Sequence, residues 1–264
     1  MLKKIVVVVG TVAAAVALFW ALGSRTHHLT KPPSSRLFTP PPEFEWTSEE
    51  PVCSQAYVRP AVDEYLRGLP PGARVLDLGC GNGAMLGTFL GRGWRLVGVD
   101  ISKTGIEQAR KRWPDIDFQF GDATEDLSAL GAFDAIYSTE VIEHVVLPRR
   151  FAQNLFRLLK PGGLAILSTP YHGWLKNVTI AILGKYDSHH GPLSDWGHIK
   201  FWSPDTLARL LWEAGLEDIE YRGTGRVPYL WKSMVMVARK PKDSGERTSR
   251  RAQEQLRHPD ASAD

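Results

Sequence analysis

Between residues 52 and 240 short apolar runs alternate with stretches of helical periodicity. RVLDLGC (74–80), RLVGVDI (95–101), FDAIYSTE (133–140) and LAILSTP (164–170) are brief and mostly apolar, the pattern of strands buried on both faces. IDFQFGD (116–122) alternates polar and apolar positions and predicts another strand. Between these runs, AMLGTFLGRG, TGIEQARKRW, LPRRFAQNLFRLLKPGG and SPDTLARLLWEAG read as helices with their own punctuation. Pro114 stops the second, Pro148 starts the third, and Gly162 and Gly163 lie just past its end. Ser203 caps the fourth, Pro204 takes its first position and Gly215 closes it. LEDIEYR and SMVMVARK then predict a closing hairpin. Strand and helix in alternation predict an α/β fold with a doubly wound, mostly parallel sheet. Ligands in such sheets bind at the carboxyl ends of the strands, near the switch point.

The flanks differ from this domain. Lys3 and Lys4 precede an apolar run over residues 5–22 that holds no charge. As a helix that run is just long enough to cross a thin bilayer, which predicts a membrane anchor over residues 1–23. Ala21, Leu22 and Gly23 also fit the cleavage site of a signal peptide, and both readings stay open. Residues 24–51 hold KPPSS and TPPPE, the composition of an extended linker, and residues 241–264 are polar without core-forming periodicity. The folded domain is therefore expected over residues 52–240. Residues 171–202 form an insertion far longer than the two to six residues or so of an ordinary connection, which predicts a cap.

Composition narrows the chemistry. Among 264 residues, 32 basic and 29 acidic side chains give a net charge of +3, with no basic stripe, so nucleic acid is not an expected partner. Two cysteines, Cys53 and Cys80, make neither a disulfide framework nor a zinc quartet. Trp174, Trp196 and Trp202, of nine tryptophans, fall within the insertion.

VLDLGCGNG (75–83) ends the first strand in a glycine-rich turn. Gly79, Gly81 and Ala84 fit a loose dinucleotide fingerprint; Asp77, Gly79, Gly81 and Gly83 fit D-x-G-x-G-x-G. Asp100 ends the second strand near the roughly 20-residue offset at which an acid meets a ribose, a contact common to adenosine cofactors. Asp77 discriminates. It would repel a pyrophosphate placed on this turn, and it would attract the ammonium and sulfonium of S-adenosylmethionine.

VLDLGCGNG, VGVDIS, FGDA, EVIEHV and LLKPGG, in this order, resemble a class I S-adenosylmethionine-dependent methyltransferase, over almost the whole of residues 52–240. EVIEHV and LKPGGLAILSTP are most similar to the ubiquinone-biosynthesis O-methyltransferases. The resemblance implies a Rossmann-like seven-stranded sheet whose last strand is antiparallel. It implies that Asp77, Gly79, Gly81 and Gly83 surround the methionine part of the cofactor, and that Asp100 binds the ribose while Ile101 packs on the adenine. Asp122 and Ala123 would address the adenine edge, Thr139 and Glu140 would line the pocket, and Arg59 would reach the cofactor carboxylate. It further implies that Glu140, Glu143 and His144 can hold a divalent metal such as Mg²⁺; alternatively His144 serves as a general base.

The insertion adds His172, His189, His190 and His198 among aromatic residues, so an aromatic-walled acceptor pocket is expected, with His190 or His198 as proton acceptor beside His144. WLKNVTIAILGK (174–185) reads as an apolar helix that either packs as core or lies on a bilayer surface. The expected activity is methyl transfer to an oxygen of a small, apolar or aromatic, lipid-like acceptor. The protein is then membrane-anchored by a single pass, its domain facing the cytoplasm or an organelle matrix. N-methylation, protein methylation, an NAD(P)-dependent oxidoreductase and a non-catalytic cofactor-binding module are the alternatives.

Overall fold

The computed structural model describes residues 45–46 and 52–242. The apolar run at residues 5–22, expected as an anchor, lies outside them, as do nearly all of the linker and the polar tail. Among the described residues no helix is long and apolar enough to cross a membrane.

The domain opens with helix α1 (Gln55–Leu66) and strand β1 (Arg74–Leu78). Helix α2 (Ala84–Gly87) follows the glycine turn, and β2 (Arg95–Asp100), α3 (Lys103–Arg112), β3 (Asp117–Phe120) and β4 (Phe133–Thr139) continue the alternation. Then come α4 (Pro148–Leu158), β5 (Leu159–Pro170), α5 (Trp174–Ile182) and α6 (Tyr186–His190). Helix α7 (Pro204–Glu213) leads into the hairpin of β6 (Glu217–Thr224) and β7 (Ser233–Arg239). The seven strands form one sheet in the order β3-β2-β1-β4-β5-β7-β6. Strands β1 to β5 are parallel, and β7 runs antiparallel to both β5 and β6. The sequence pattern and the closing hairpin predicted this sheet.

Neighbouring residues on each strand face opposite sides, and each side has its own apolar layer. Leu76 and Leu78 pack with Phe151, Leu155, Leu207 and Leu211 of α4 and α7. Val75 and Tyr137 pack with Val58, Val62, Ile106 and Ala109 of α1 and α3. At roughly 1.5–3 kcal/mol for each large apolar side chain buried, these two layers hold the helices on the sheet.

One boundary differs from expectation. The helix predicted to run through Leu159 and Lys160 stops at Leu158, and β5 starts immediately. Leu159 is extended (φ −78°, ψ 138°) because it pairs with Phe133 of β4. Gly162, at φ 77°, turns the chain so that its N–H donates to the Lys240 carbonyl. Sheet pairing here overrides helix periodicity.

Strand order reverses at β1, which has β2 on one side and β4 on the other. The glycine turn and the EVIEHV turn therefore lie beside each other at the carboxyl edge.

Candidate active site

The glycine turn is shaped by three residues at positive φ: Gly79 at 90°, Gly81 at 53° and Gly83 at 72°. Each is also pressed by a neighbour. A Cβ on Gly79 would strike Val141, one on Gly81 the ring of Trp46, and one on Gly83 the ring of Phe118. Asp100 ties the turn to β2: its Oδ2 accepts from the Gly81 N–H (2.7 Å) and its Oδ1 from the Ser102 N–H (2.8 Å). Burial raises the Asp100 pKa and these amide bonds oppose the rise.

Asp77 is 1% exposed, and its Oδ1 has no hydrogen-bond partner. Burial lifts its pKa to about 8; the Tyr137 phenol opposes that shift and the charge of Asp100 adds to it. A buried carboxylate with an orphaned oxygen fits a cationic ligand, since a cation restores what burial removed. Asp77 and Asp100 thus suit the ammonium and the ribose of S-adenosylmethionine. Ile101, just past Asp100, is 56% exposed, an apolar side chain left uncovered where the adenine was expected. Asp122 Oδ1 accepts from Thr124 N–H (2.7 Å) and Thr124 Oγ1 (2.8 Å), while the Ala123 carbonyl accepts from Asn154 Nδ2. Thr139 Oγ1 points to Met85 Sδ (3.6 Å), and Arg59 lies exposed on α1.

Glu140 follows β4 at φ 56°, a conformation that costs a non-glycine residue on the order of 1–3 kcal/mol and clusters at functional sites. The surroundings hold it there. Its N–H bonds the Ser168 carbonyl, its Oε1 accepts from Ser168 Oγ (2.8 Å), and its Oε2 accepts from Ser233 Oγ (3.2 Å). Both of its oxygens are so engaged, and the group of possible metal ligands among the described residues holds Glu143 and His144 without it.

Glu143 and His144 instead meet His198. One ligand atom from each of these three lies within 4.8 Å of the other two. Glu143 is 1% exposed and neither carboxylate oxygen has a hydrogen-bond partner; His198 Nε2 stands 3.9 Å from its Oε1. Burial pushes the Glu143 pKa well up, and the charge of Glu140 adds to it. His144 Nδ1 lies 3.2 Å from the Gly197 carbonyl. A carbonyl only accepts, so Nδ1 carries the proton and Nε2 is left as a base or ligand. Desolvation lowers the pKa of His144, and that of His198 to about 4, so both rings are neutral at pH 7. An orphaned carboxylate beside two neutral imidazoles fits a divalent cation of intermediate softness.

The cap is strapped onto this turn. Ile199 and Lys200 N–H both donate to the Glu143 carbonyl (2.9 Å each), and Trp202 Nε1 donates to the Ile142 carbonyl (3.3 Å). His190 packs against Phe201 (4.7 Å between centroids) and Tyr186 (4.5 Å). Four residues at the site had no role in the sequence reading: Trp46, Ser168, Lys176 and Ser233. Only the lysine, at the start of an otherwise apolar helix, left a sign in the sequence. A concavity of about 540 Å³ between Arg74, Trp94, Arg95 and Asp117 opens at the opposite edge of the strands. Ligands of doubly wound sheets bind at the carboxyl edge, where the orphaned acids lie.

The family model described as a methyltransferase domain matches residues 54–221. The chain is 33% identical over 183 residues to a ubiquinone biosynthesis O-methyltransferase of Dinoroseobacter shibae, covering 66% of this chain and 73% of that one. It is 34% identical over 166 residues to an enzyme of the same name from Ruegeria pomeroyi, covering 61% and 66%. A magnesium protoporphyrin IX methyltransferase from Synechocystis, solved with bound SAH, superimposes with a TM-score of 0.55 at 19% identity over 69% of this chain and 82% of that one, a likeness of fold. With the orphaned acid at the glycine turn and the sheet order, these relationships resolve the choice of cofactor: the chain belongs to the methyltransferase-domain family and is an S-adenosylmethionine-dependent methyltransferase.

Proposed function

We propose that this enzyme methylates an oxygen of a small aromatic or apolar acceptor held beneath the cap. The carrying observation is His144, neutral, with Nδ1 held at 3.2 Å by the Gly197 carbonyl and a ring nitrogen within 4.8 Å of ligand atoms of Glu143 and His198. The cofactor supplies an electrophilic methyl group on a sulfonium. The chain holds the acceptor hydroxyl in line with it and takes the hydroxyl proton on the imidazole of His144 or His198 as the O–CH₃ bond forms. Glu143, His144 and His198 would also hold a divalent cation, which would favour the ionised acceptor oxygen. Asp77 and Asp100 orient the cofactor; Thr139 and Glu140 form the wall between it and the acceptor.

A lipid-like acceptor suits the apolar surface above the site, where Trp174 and Ile182 of α5 are 73% and 78% exposed. It also suits the apolar run at residues 5–22 as a single-pass anchor, with the domain on the side where S-adenosylmethionine is made. The names of the two curated relatives support transfer to oxygen. The test is transfer of a radiolabelled methyl group from S-adenosylmethionine into a membrane extract, with and without EDTA. Label in an extractable, alkali-stable small molecule is the expected result. Label confined to protein, or to an amine, would replace this reading with protein or N-methylation.

A further inference from the structure

Helix α5 begins at the site with its first amides uncapped. Gly173 at the N-cap has no side chain to accept from them, and no acid stands in the first turn. Such amides carry partial positive charge and need acceptors. Beside them lies a full positive charge. Lys176 is 8% exposed, and its hydrogen-bond partner is the Lys232 carbonyl, at 3.5 Å. Among the described residues it forms no ion pair. The one acid whose charge acts on it is Glu140, whose oxygens are occupied by Ser168 and Ser233.

Other cationic or ionisable groups gather here. His172, also 8% exposed, stacks on His190 at 5.6 Å with rings 22° apart, and His189 lies 5.8 Å from His172. Arg226, on the β6–β7 loop, adds its charge to the field at Lys176 and His189. A buried ammonium with so little to accept from it is unfavourable unless a ligand completes its shell.

We propose that this cluster is a binding site for an anionic group, a carboxylate or a phosphate, carried by the methyl acceptor. The free amides of α5 and the Lys176 ammonium hold the anion, and His172 and His190 wall it. His172 and His190 both pack on Phe201 (5.2 and 4.7 Å between centroids), the neighbour of Lys200, whose N–H donates to the Glu143 carbonyl, and this places the anion site next to the Glu143 cluster. An acceptor anchored at Lys176 therefore turns its other end toward His144 and His198. This specificity rests on the acceptor lying beneath the cap, as proposed above.

Binding of three aryl probes to the full-length protein saturated with S-adenosylhomocysteine tests it without turnover. Phenol is the neutral reference; benzoate and phenyl phosphate separate the two anion sources. The expected result is that at least one anion binds about tenfold more tightly than phenol. Lys176→Met should remove that preference, Lys176→Arg should keep it, and affinity for S-adenosylhomocysteine should be unchanged in both. Equal binding of all three probes to the wild type overturns the anion site, whether or not the variants fold. So does a Lys176→Met protein that weakens phenol as much as the anions. A protein that keeps the anion preference but transfers methyl to nitrogen retains this site and loses only the O-methylation reading.

Discussion

His198 Nε2 stands 3.9 Å from the orphaned Glu143 Oε1, although the two residues come from different turns of the chain. The Ile199 and Lys200 amides, both bonded to the Glu143 carbonyl, fix that distance from the backbone. The insertion and the EVIEHV turn are therefore joined, and His144 is the proposed base between them. His144→Asn should lower kcat by about 10², the ordinary size of general-base catalysis, and leave S-adenosylhomocysteine affinity within about twofold. Because desolvation lowers both histidine pKa values, activity should hold below pH 6.5 and fall as the pH approaches the value of about 4 for His198. An acid limb centred above pH 7 in kcat/KM would remove the histidines from the role of base.

Glu143 has a second consequence. Burial pushes its pKa well up, so without a cation the carboxyl keeps its proton further toward neutrality than an exposed glutamate does. A divalent cation must displace that proton, and its binding should tighten as the pH rises. Titration calorimetry with Mn²⁺ in buffers of different ionisation enthalpy is expected to show proton release at pH 7. Glu143→Gln and His198→Ala should each weaken binding by about tenfold or more, while Glu140→Gln should change it little. A cation that binds all three variants like the wild type sits elsewhere.

Asp77 makes cofactor affinity depend on pH. Its folded pKa of about 8 lies above its ordinary 3.8, so the unliganded fold holds the neutral form. The sign follows: this group's contribution to stability is fully present below pH 3.8 and is lost as the pH rises through about 8. The cationic cofactor demands the ionised form, so between pH 6.5 and 8.5 its affinity should rise by about 25-fold, as a group with a pKa of about 8 ionises. Asp77→Asn removes both effects. At pH 8.5 the unliganded variant should melt a few degrees higher than wild type, by roughly 1 kcal/mol, yet bind the cofactor weakly at every pH. A variant whose cofactor affinity still climbs with pH would show that another group carries the dependence.

The sheet was legible in the chain because short apolar runs and period-3.6 patterns each map to one packing solution, as VLDLGC and RFAQNLFRL do. Asp77 was singled out for a different reason, as a carboxylate beside a glycine turn, and the structure buries it with one oxygen orphaned. His198 was named as a candidate proton acceptor, but no spacing rule could join it to Glu143, because backbone hydrogen bonds across the cap make that pairing. Glu140 shows the opposite case. The family resemblance implied a metal shared with Glu143 and His144, and two serines from β5 and β7, distant in sequence, engage its oxygens. Trp46 lies in a proline-rich stretch with no periodicity, so nothing local marked it.

Trp46 nonetheless sets the shape of the cofactor turn. Its N–H donates to Thr104 Oγ1 (2.9 Å), its carbonyl accepts from Gln108 Nε2 (2.6 Å), and its ring fills the space beside Gly81. Gly81→Ala meets two obstacles, a positive φ of 53° and that ring, each of order 1–3 kcal/mol. The variant should melt several degrees lower and bind S-adenosylhomocysteine about tenfold more weakly. Trp46→Ala alone should cost less, since the ring is only partly buried. Combined, the two substitutions should be milder than their sum by about 1 kcal/mol or more, because removing the ring frees the space the new methyl needs and leaves only the backbone strain. Chemical denaturation of the four proteins measures that coupling. Additivity within about 0.3 kcal/mol would mean that Trp46 does not bear on Gly81, and that the glycine there answers to the cofactor alone.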